Sequence, residues 1–218
     1  MALALFDLDN TLLAGDSDHL WGRFLAASGI VDGAHYEREN ERFYAEYRAG
    51  TLDIDAFQRF SLQPLRDNPR EEMERLRKAF ITEQIEPIMQ DSARALIARH
   101  RDAGDTLLII TATNAFVTAP IAERFCVPHL IATNPAQSEG RYTGEVEGTP
   151  AFREGKVLRL EAWLQEQHLD LDGSTFYSDS HNDLPLLERV THPVAVDPDP
   201  SLRETAASRG WPIISLRS

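Results

Sequence analysis

Short apolar runs that stop abruptly at acidic or hydroxyl residues constrain this chain more than any other feature. Ala2-Leu-Ala-Leu-Phe6 runs straight into Asp7-Leu-Asp-Asn-Thr11, Thr106-Leu-Leu-Ile-Ile110 into Thr111-Ala-Thr-Asn114, and Thr175-Phe-Tyr-Ser178 into Asp179. Pro193-Val-Ala-Val196 and Trp211-Pro-Ile-Ile214 are two more runs of the kind. Runs this short and this apolar read as strands buried on both faces. Helical patterns alternate with them, over 91–104, from 114 or 115 to 125, and over 156–168, 183–190 and 201–209. Strand alternating with helix predicts a parallel sheet with helices on both faces, an α/β fold.

The segment between the first two strands breaks the alternation. Helical patterns cover 18–27, 32–49 and 53–62, Asn68-Pro69 opens another, and no convincing strand interrupts them. The expected organisation is therefore a catalytic core of residues 1–14 and 91–218, with an inserted all-helical cap over 15–90.

Composition narrows the function classes. The net charge is −13, which repels nucleic-acid backbones and anionic membranes, so neither is an expected partner. A small anionic substrate stays compatible, because a bound divalent cation inverts the local field. No stretch approaches the ~20 apolar residues of a membrane span, and the N-terminal run is too short for a secretory leader. The lone cysteine, Cys126, forms no internal disulfide and reads as a buried small hydrophobe. A cytoplasmic protein is the expectation, with its oligomeric state unreadable.

In a parallel α/β sheet, ligands bind beyond the carboxyl ends of the strands. Those ends carry Asp7 and Asp9, then Thr111 and Ala112 at a strand-to-helix turn, then Asp179 with Asn182 and Asp183. Lys156 opens a helix between the second and third sites. The set suits phosphoryl transfer. Asp7 can attack phosphorus, and Asp9 can protonate the leaving oxygen. Thr111 and Lys156 can hold phosphate oxygens. Magnesium prefers oxygen ligands and keeps waters, so Asp7, Asp179 and a backbone carbonyl suffice from the protein.

Asp7-Leu-Asp-Asn-Thr11 resembles the first motif of the haloacid dehalogenase superfamily, with Thr111, Lys156 and the pair Asp179/Asp183 matching its second, third and fourth. The resemblance implies a Rossmann-like parallel sheet core with helices on both faces and an inserted all-helical cap. It implies Mg2+ held by Asp7, Asp179 and the carbonyl of Asp9, phosphate binding by Thr111, Ala112 and Lys156, and support from Asp183 and Asn182. Members that break carbon–halogen bonds lack a carboxylate at the position of Asp9, so its presence favours a phosphatase.

The helical segment resembles the cap of the phosphoserine phosphatase-like branch. There an acidic residue nine positions after the nucleophile, here Asp16, grips the substrate's amine. Thr111 replaces the usual serine, and Ser178-Asp-Ser-His-Asn-Asp183 replaces Gly-Asp-Gly-x-Asn-Asp. The tail, including His192-Pro-Val-Ala-Val196 and Arg209-Gly-Trp-Pro212, is similar to a sub-branch that includes histidinol-phosphate phosphatases of amino-acid biosynthesis. The implied partner is a small phosphorylated metabolite, with L-histidinol phosphate first and phosphoserine second.

Two other readings compete with hydrolysis: a phosphotransferase using the same aspartyl-phosphate chemistry, and a non-catalytic binding module. Phe43, Tyr44 and Tyr47 read as interior residues of the helical segment, and His181 as a solvent-facing helix residue.

Overall fold

The computed structural model describes residues 2–217. Seven strands form one sheet in the order β4-β3-β2-β1-β5-β6-β7. They are β1 (Leu3–Phe6), β2 (Thr106–Asn114), β3 (His129–Ser138), β4 (Arg141–Glu147), β5 (Thr175–Ser178), β6 (His192–Val196) and β7 (Ile213–Ile214). All neighbours run parallel except β3 and β4. The first strand is central, pairing Ala4 with Leu107 on one side and Thr175 on the other.

Strand residues alternate between faces, and each face of this sheet is buried under helices. Ala4, Phe6, Leu107 and Ile109 pack beneath α1 (Ser17–Ala27), α4 (Arg70–Phe80), α5 (Asp91–Asp102) and α6 (Ala115–Arg124). Leu3, Leu5, Leu108 and Ile110 pack beneath α7 (Glu154–Gln167), α8 (Leu184–Leu187) and α9 (Pro200–Arg209).

Five α-helices lie between β1 and β2 in the chain: α1, α2 (Gly33–Ala49), α3 (Ile54–Asp67) and α4, which make up the segment after the first strand, and then α5. Asp16, Asp32 and Asp53 cap the first three, each accepting from backbone amides of the first turn. The left-handed Gly50 ends α2. Trp21 of α1 packs on Phe80 and Phe116, so two helices of this segment share the main core. The chain crosses into and out of the segment at adjacent points, where Leu13 bridges Met89 and the Ala14 amide donates to the Ile88 carbonyl.

Three sequence expectations are corrected here. The hairpin of β3 and antiparallel β4 was not expected, and it makes the sheet mixed. Only Ile213–Ile214 of the 211–214 run pairs as a strand, since Pro212 has no amide to give. Cys126 is exposed, not buried: it sits at φ 54° in the left-handed turn after α6, which points it away from the core.

Candidate active site

The strand ends and the helical segment enclose one cavity, lined by all the carboxylates expected at the site except Asp179. The end of β1 leads into a single wide turn over Leu8–Leu12, closed by the Leu13 amide on the Leu8 carbonyl. Asn10 takes φ 55° within it, a conformation Asn tolerates better than most residues. The guanidinium of Arg217 braces the turn from the far end of the chain, donating to the carbonyls of Asn10 (2.5 Å) and Leu13 (2.9 Å).

Lys156 lies at the centre. Its ammonium donates to Asp7 Oδ1 at 2.8 Å and to Asp183 Oδ2 at 2.8 Å, and all three side chains are at least nine-tenths buried. Gly155 sets this position, because a Cβ there would collide with the Pro150 carbonyl beneath the first turn of α7. Burial pulls the Lys156 ammonium down, but Asp183 and Asp7 outweigh it and hold it charged. Burial pushes the Asp7 carboxyl up to about 7 against the opposing pull of Lys156. Ser178 Oγ donates to Asp183 Oδ2 at 2.7 Å, completing the support of the lysine.

Asp179 lies beside Asp7. The hydroxyl of Thr11 is 3.2 Å from Asp7 Oδ2 and 3.2 Å from Asp179 Oδ1, and it accepts the Asp179 amide at 3.0 Å. One hydroxyl proton serves only one of these carboxylates. Burial and the charges of Asp7 and Asp183 push Asp179 well up. Asp7, Asp179 and Asp183 therefore gather around a single buried ammonium, an excess of negative charge that a divalent cation would offset. Among the described residues no three His, Cys, Asp or Glu side chains converge on a common metal position. Two carboxylates plus waters fit magnesium, which rarely takes an all-protein cage.

Asp9 is held from two sides. Its Oδ1 accepts the Ser17 amide at 2.6 Å, and its Oδ2 accepts the Thr113 hydroxyl at 2.8 Å. Thr111 Oγ1 is 3.5 Å from the same oxygen. Burial and Asp16 push the Asp9 carboxyl up to about 6, opposed by the bonds from Ser17 and Thr113. Thr113 was missed from sequence. Residues i and i+2 of a strand share a face, so the Thr111 position already implied it.

Asp16 serves two ends at once, capping α1 through the amides of Asp18 and His19 while lining the cavity. Asp18 also lines it, with its carboxyl pushed well up by burial and by Asp16 and Asp9. Asn182 turns to the helical segment: its amide donates to the Tyr47 carbonyl at 3.2 Å and its oxygen accepts Arg153 Nε at 3.0 Å. Arg153, unmarked by any sequence signal, also holds the Gly50 carbonyl. Ala112 lines the cavity, and its carbonyl accepts the Thr133 hydroxyl. Of the aromatics read as interior, Phe43 is buried in an apolar cluster with Tyr47 packed against it, and Phe43, Tyr44 and Tyr47 also line the cavity, with Phe57 and Phe152 beside them. His181 is not simply solvent-facing, since its ring bonds Asp199 at 2.8 Å.

The fold and these motifs place the chain in a known class. It belongs to the haloacid dehalogenase-like hydrolase family, matching it over residues 4–188. It is 46% identical to a histidinol-phosphatase of Neisseria meningitidis serogroup C, over 99% of both chains. It is 32% identical to a phosphoserine phosphatase of Mycobacterium tuberculosis, over 99% of this chain and 71% of that one. A crystal structure of a Bordetella pertussis protein of unknown function superposes with TM-score 0.93 at 47% identity, covering 99% of this chain and 98% of that one.

Proposed function

We propose that the protein is a magnesium-dependent phosphatase that hydrolyses a small phosphomonoester through an aspartyl phosphate on Asp7, with L-histidinol phosphate as its substrate. The observation that carries this is Lys156 bridging Asp7 and Asp183 at 2.8 Å in a cavity that Asp9 also lines. In this reading residues 1–14 and 91–218 are the catalytic core and 15–90 the cap.

Lys156 holds Asp7 oriented and offers its charge to the phosphate oxygens, and Thr111 and Ala112 border the same space. Asp7 attacks phosphorus, and Asp9 gives its proton to the departing alcohol and then takes one from the incoming water. Asp7, Asp179 and the Asp9 carbonyl would hold Mg2+, which supplies charge neutralisation for the phosphate and the nucleophile.

The lining above Asp9 supports the substrate choice. Asp16 and Asp18 offer negative charge for an amine, and Phe43, Phe57 and Phe152 offer flat apolar walls for a ring. The relative with 46% identity is a histidinol-phosphatase, which supports the same choice. Phosphoserine is the second reading, favoured by the 32% identical relative. The unpaired Cys126 fits a reducing setting, and we place the enzyme in the cytoplasm.

The test is release of inorganic phosphate from L-histidinol phosphate and phosphoserine, with magnesium and with EDTA, in the absence of any acceptor alcohol. Magnesium-dependent release, faster from histidinol phosphate, is expected. Turnover only when an acceptor is added would make the protein a phosphotransferase. Faster release from phosphoserine would reverse the substrate choice.

A further inference from the structure

Asp9 is gripped by a residue that no motif marks. Its Oδ1 meets the Ser17 amide, a donor that cannot become an acceptor, while its Oδ2 meets the Thr113 hydroxyl at 2.8 Å. Thr113 is 5% exposed, and its hydroxyl lies on the same face of β2 as that of Thr111. The Thr113 amide donates to Thr111 Oγ1 at 3.2 Å, so the two threonines are tied to each other as well as to Asp9. The pairing of β2 with β3 shifts register between Ile110 and Asn114, and this stretch holds both hydroxyls.

We propose that Thr113 is a positioning residue for the general acid, fixing the plane of the Asp9 carboxyl and stabilising the charge that appears on it. The inference rests on the phosphatase reading above. The terminal torsion of an aspartate is broad and two-fold, so one donor on Oδ1 leaves the carboxyl free to turn. The second donor, on Oδ2, removes that freedom.

In the first step an oxygen of Asp7 forms a bond to phosphorus. The bond from phosphorus to the ester oxygen breaks, its electron pair goes to that oxygen, and the oxygen takes the proton of Asp9. Asp9 becomes an anion as this happens. The Thr113 contact then becomes charge-assisted and roughly doubles in strength. An interaction that strengthens toward the transition state speeds the step, whereas one of constant strength does not. Thr111, at 3.5 Å from the same oxygen, makes at best a weak bond and is left to border the phosphate.

The leaving group separates this role from a structural one. An alcohol departing from an alkyl phosphate needs the proton of Asp9, and p-nitrophenolate does not. The experiment measures kcat/KM of wild type, Thr113→Val and Thr113→Ser on three esters: L-histidinol phosphate, phosphoserine and p-nitrophenyl phosphate. Valine keeps the shape and β-propensity of threonine without its hydroxyl. Thr113→Val is expected to lose about 30-fold on the alkyl ester that wild type turns over, and at least tenfold less on p-nitrophenyl phosphate. Thr113→Ser is expected to restore the alkyl rate to within about threefold of wild type. Equal losses of Thr113→Val on both kinds of ester, or no loss on either, would overturn the proposal and leave the phosphatase reading standing. Wild type that releases phosphate from none of the three would overturn both.

Discussion

The cavity has a floor of strand ends and a roof of helices, and the two treat their acids in opposite ways. On the floor every carboxylate has a partner: Asp7 and Asp183 share Lys156, Asp179 meets Thr11, and Asp9 meets Ser17 and Thr113. On the roof Asp16 spends one oxygen on capping α1, and the carboxylate of Asp18 has no hydrogen-bond partner among the described residues. Groups that are paired before a ligand arrives can act on it without reorganising. An acid facing a cavity with nothing opposite it is instead a vacancy that the ligand's own charge can fill. On the proposed function, the floor carries a reaction common to many esters, and the roof chooses among them.

That division predicts that floor variants lose activity on every ester and roof variants lose it selectively. Asp7→Asn removes the proposed nucleophile, and phosphate release should fall about 10⁴-fold or more on all substrates. An active variant would break the scheme. Lys156→Met leaves Asp7 and Asp183 buried without their cation. We expect about 3–5 kcal/mol of lost stability in urea unfolding, and activity down about 10³-fold on all esters.

Asp18→Asn tests the roof. It should raise KM for L-histidinol phosphate about tenfold, and by less for p-nitrophenyl phosphate, which has no cation to place there. Equal effects on the two would show that Asp18 serves the reaction and not the choice of substrate.

The smallest effect lies away from the cavity, just ahead of β2. The hydrogen bond from His100 holds the Asp105 carboxyl below its ordinary value. A depressed carboxylate stabilises the fold above its unfolded value, and that gain is lost as pH falls through the folded one. Asp105→Asn should lower Tm by about 2 °C at pH 6. The gap should close as pH drops below about 4, with catalysis at pH 6 retained. A gap that persists at low pH would show that shape, not charge, matters at this position.

The same division explains what the sequence reveals. Floor residues stand at the ends of apolar runs, and the end of a buried strand is a place that local pattern can mark. Asp7, Thr111 and Asp179 are legible for that reason, and Lys156 because a cation at a helix start opposes the dipole. Thr113 is hidden by looking like any β-branched strand residue. The hairpin of β3 and β4 escapes because its strands are polar and carry Pro135. Its turn, with Glu139 at φ 49° and Gly140 at φ 77°, is a signal that could have found it. Roof aromatics cannot be assigned from periodicity, since Phe43 packs in an apolar cluster and lines the cavity with the same ring. Which side of a helix faces a neighbour and which faces a hole depends on where the helix docks.

Arg217 adds a temporal consequence. It reaches the carbonyl of Asn10 across 207 positions of sequence. During synthesis the turn after Asp7 is made well before this brace. The β1 residue Ala4 likewise waits for Leu107 and then Thr175 before it is enclosed on both sides. A growing chain must therefore carry this apolar strand unsheltered until those later strands exist, the condition under which nascent chains stick to one another. The turn that carries Asp9 is therefore completed only once Arg217 exists, so a product cut short before it holds the aspartates without that brace.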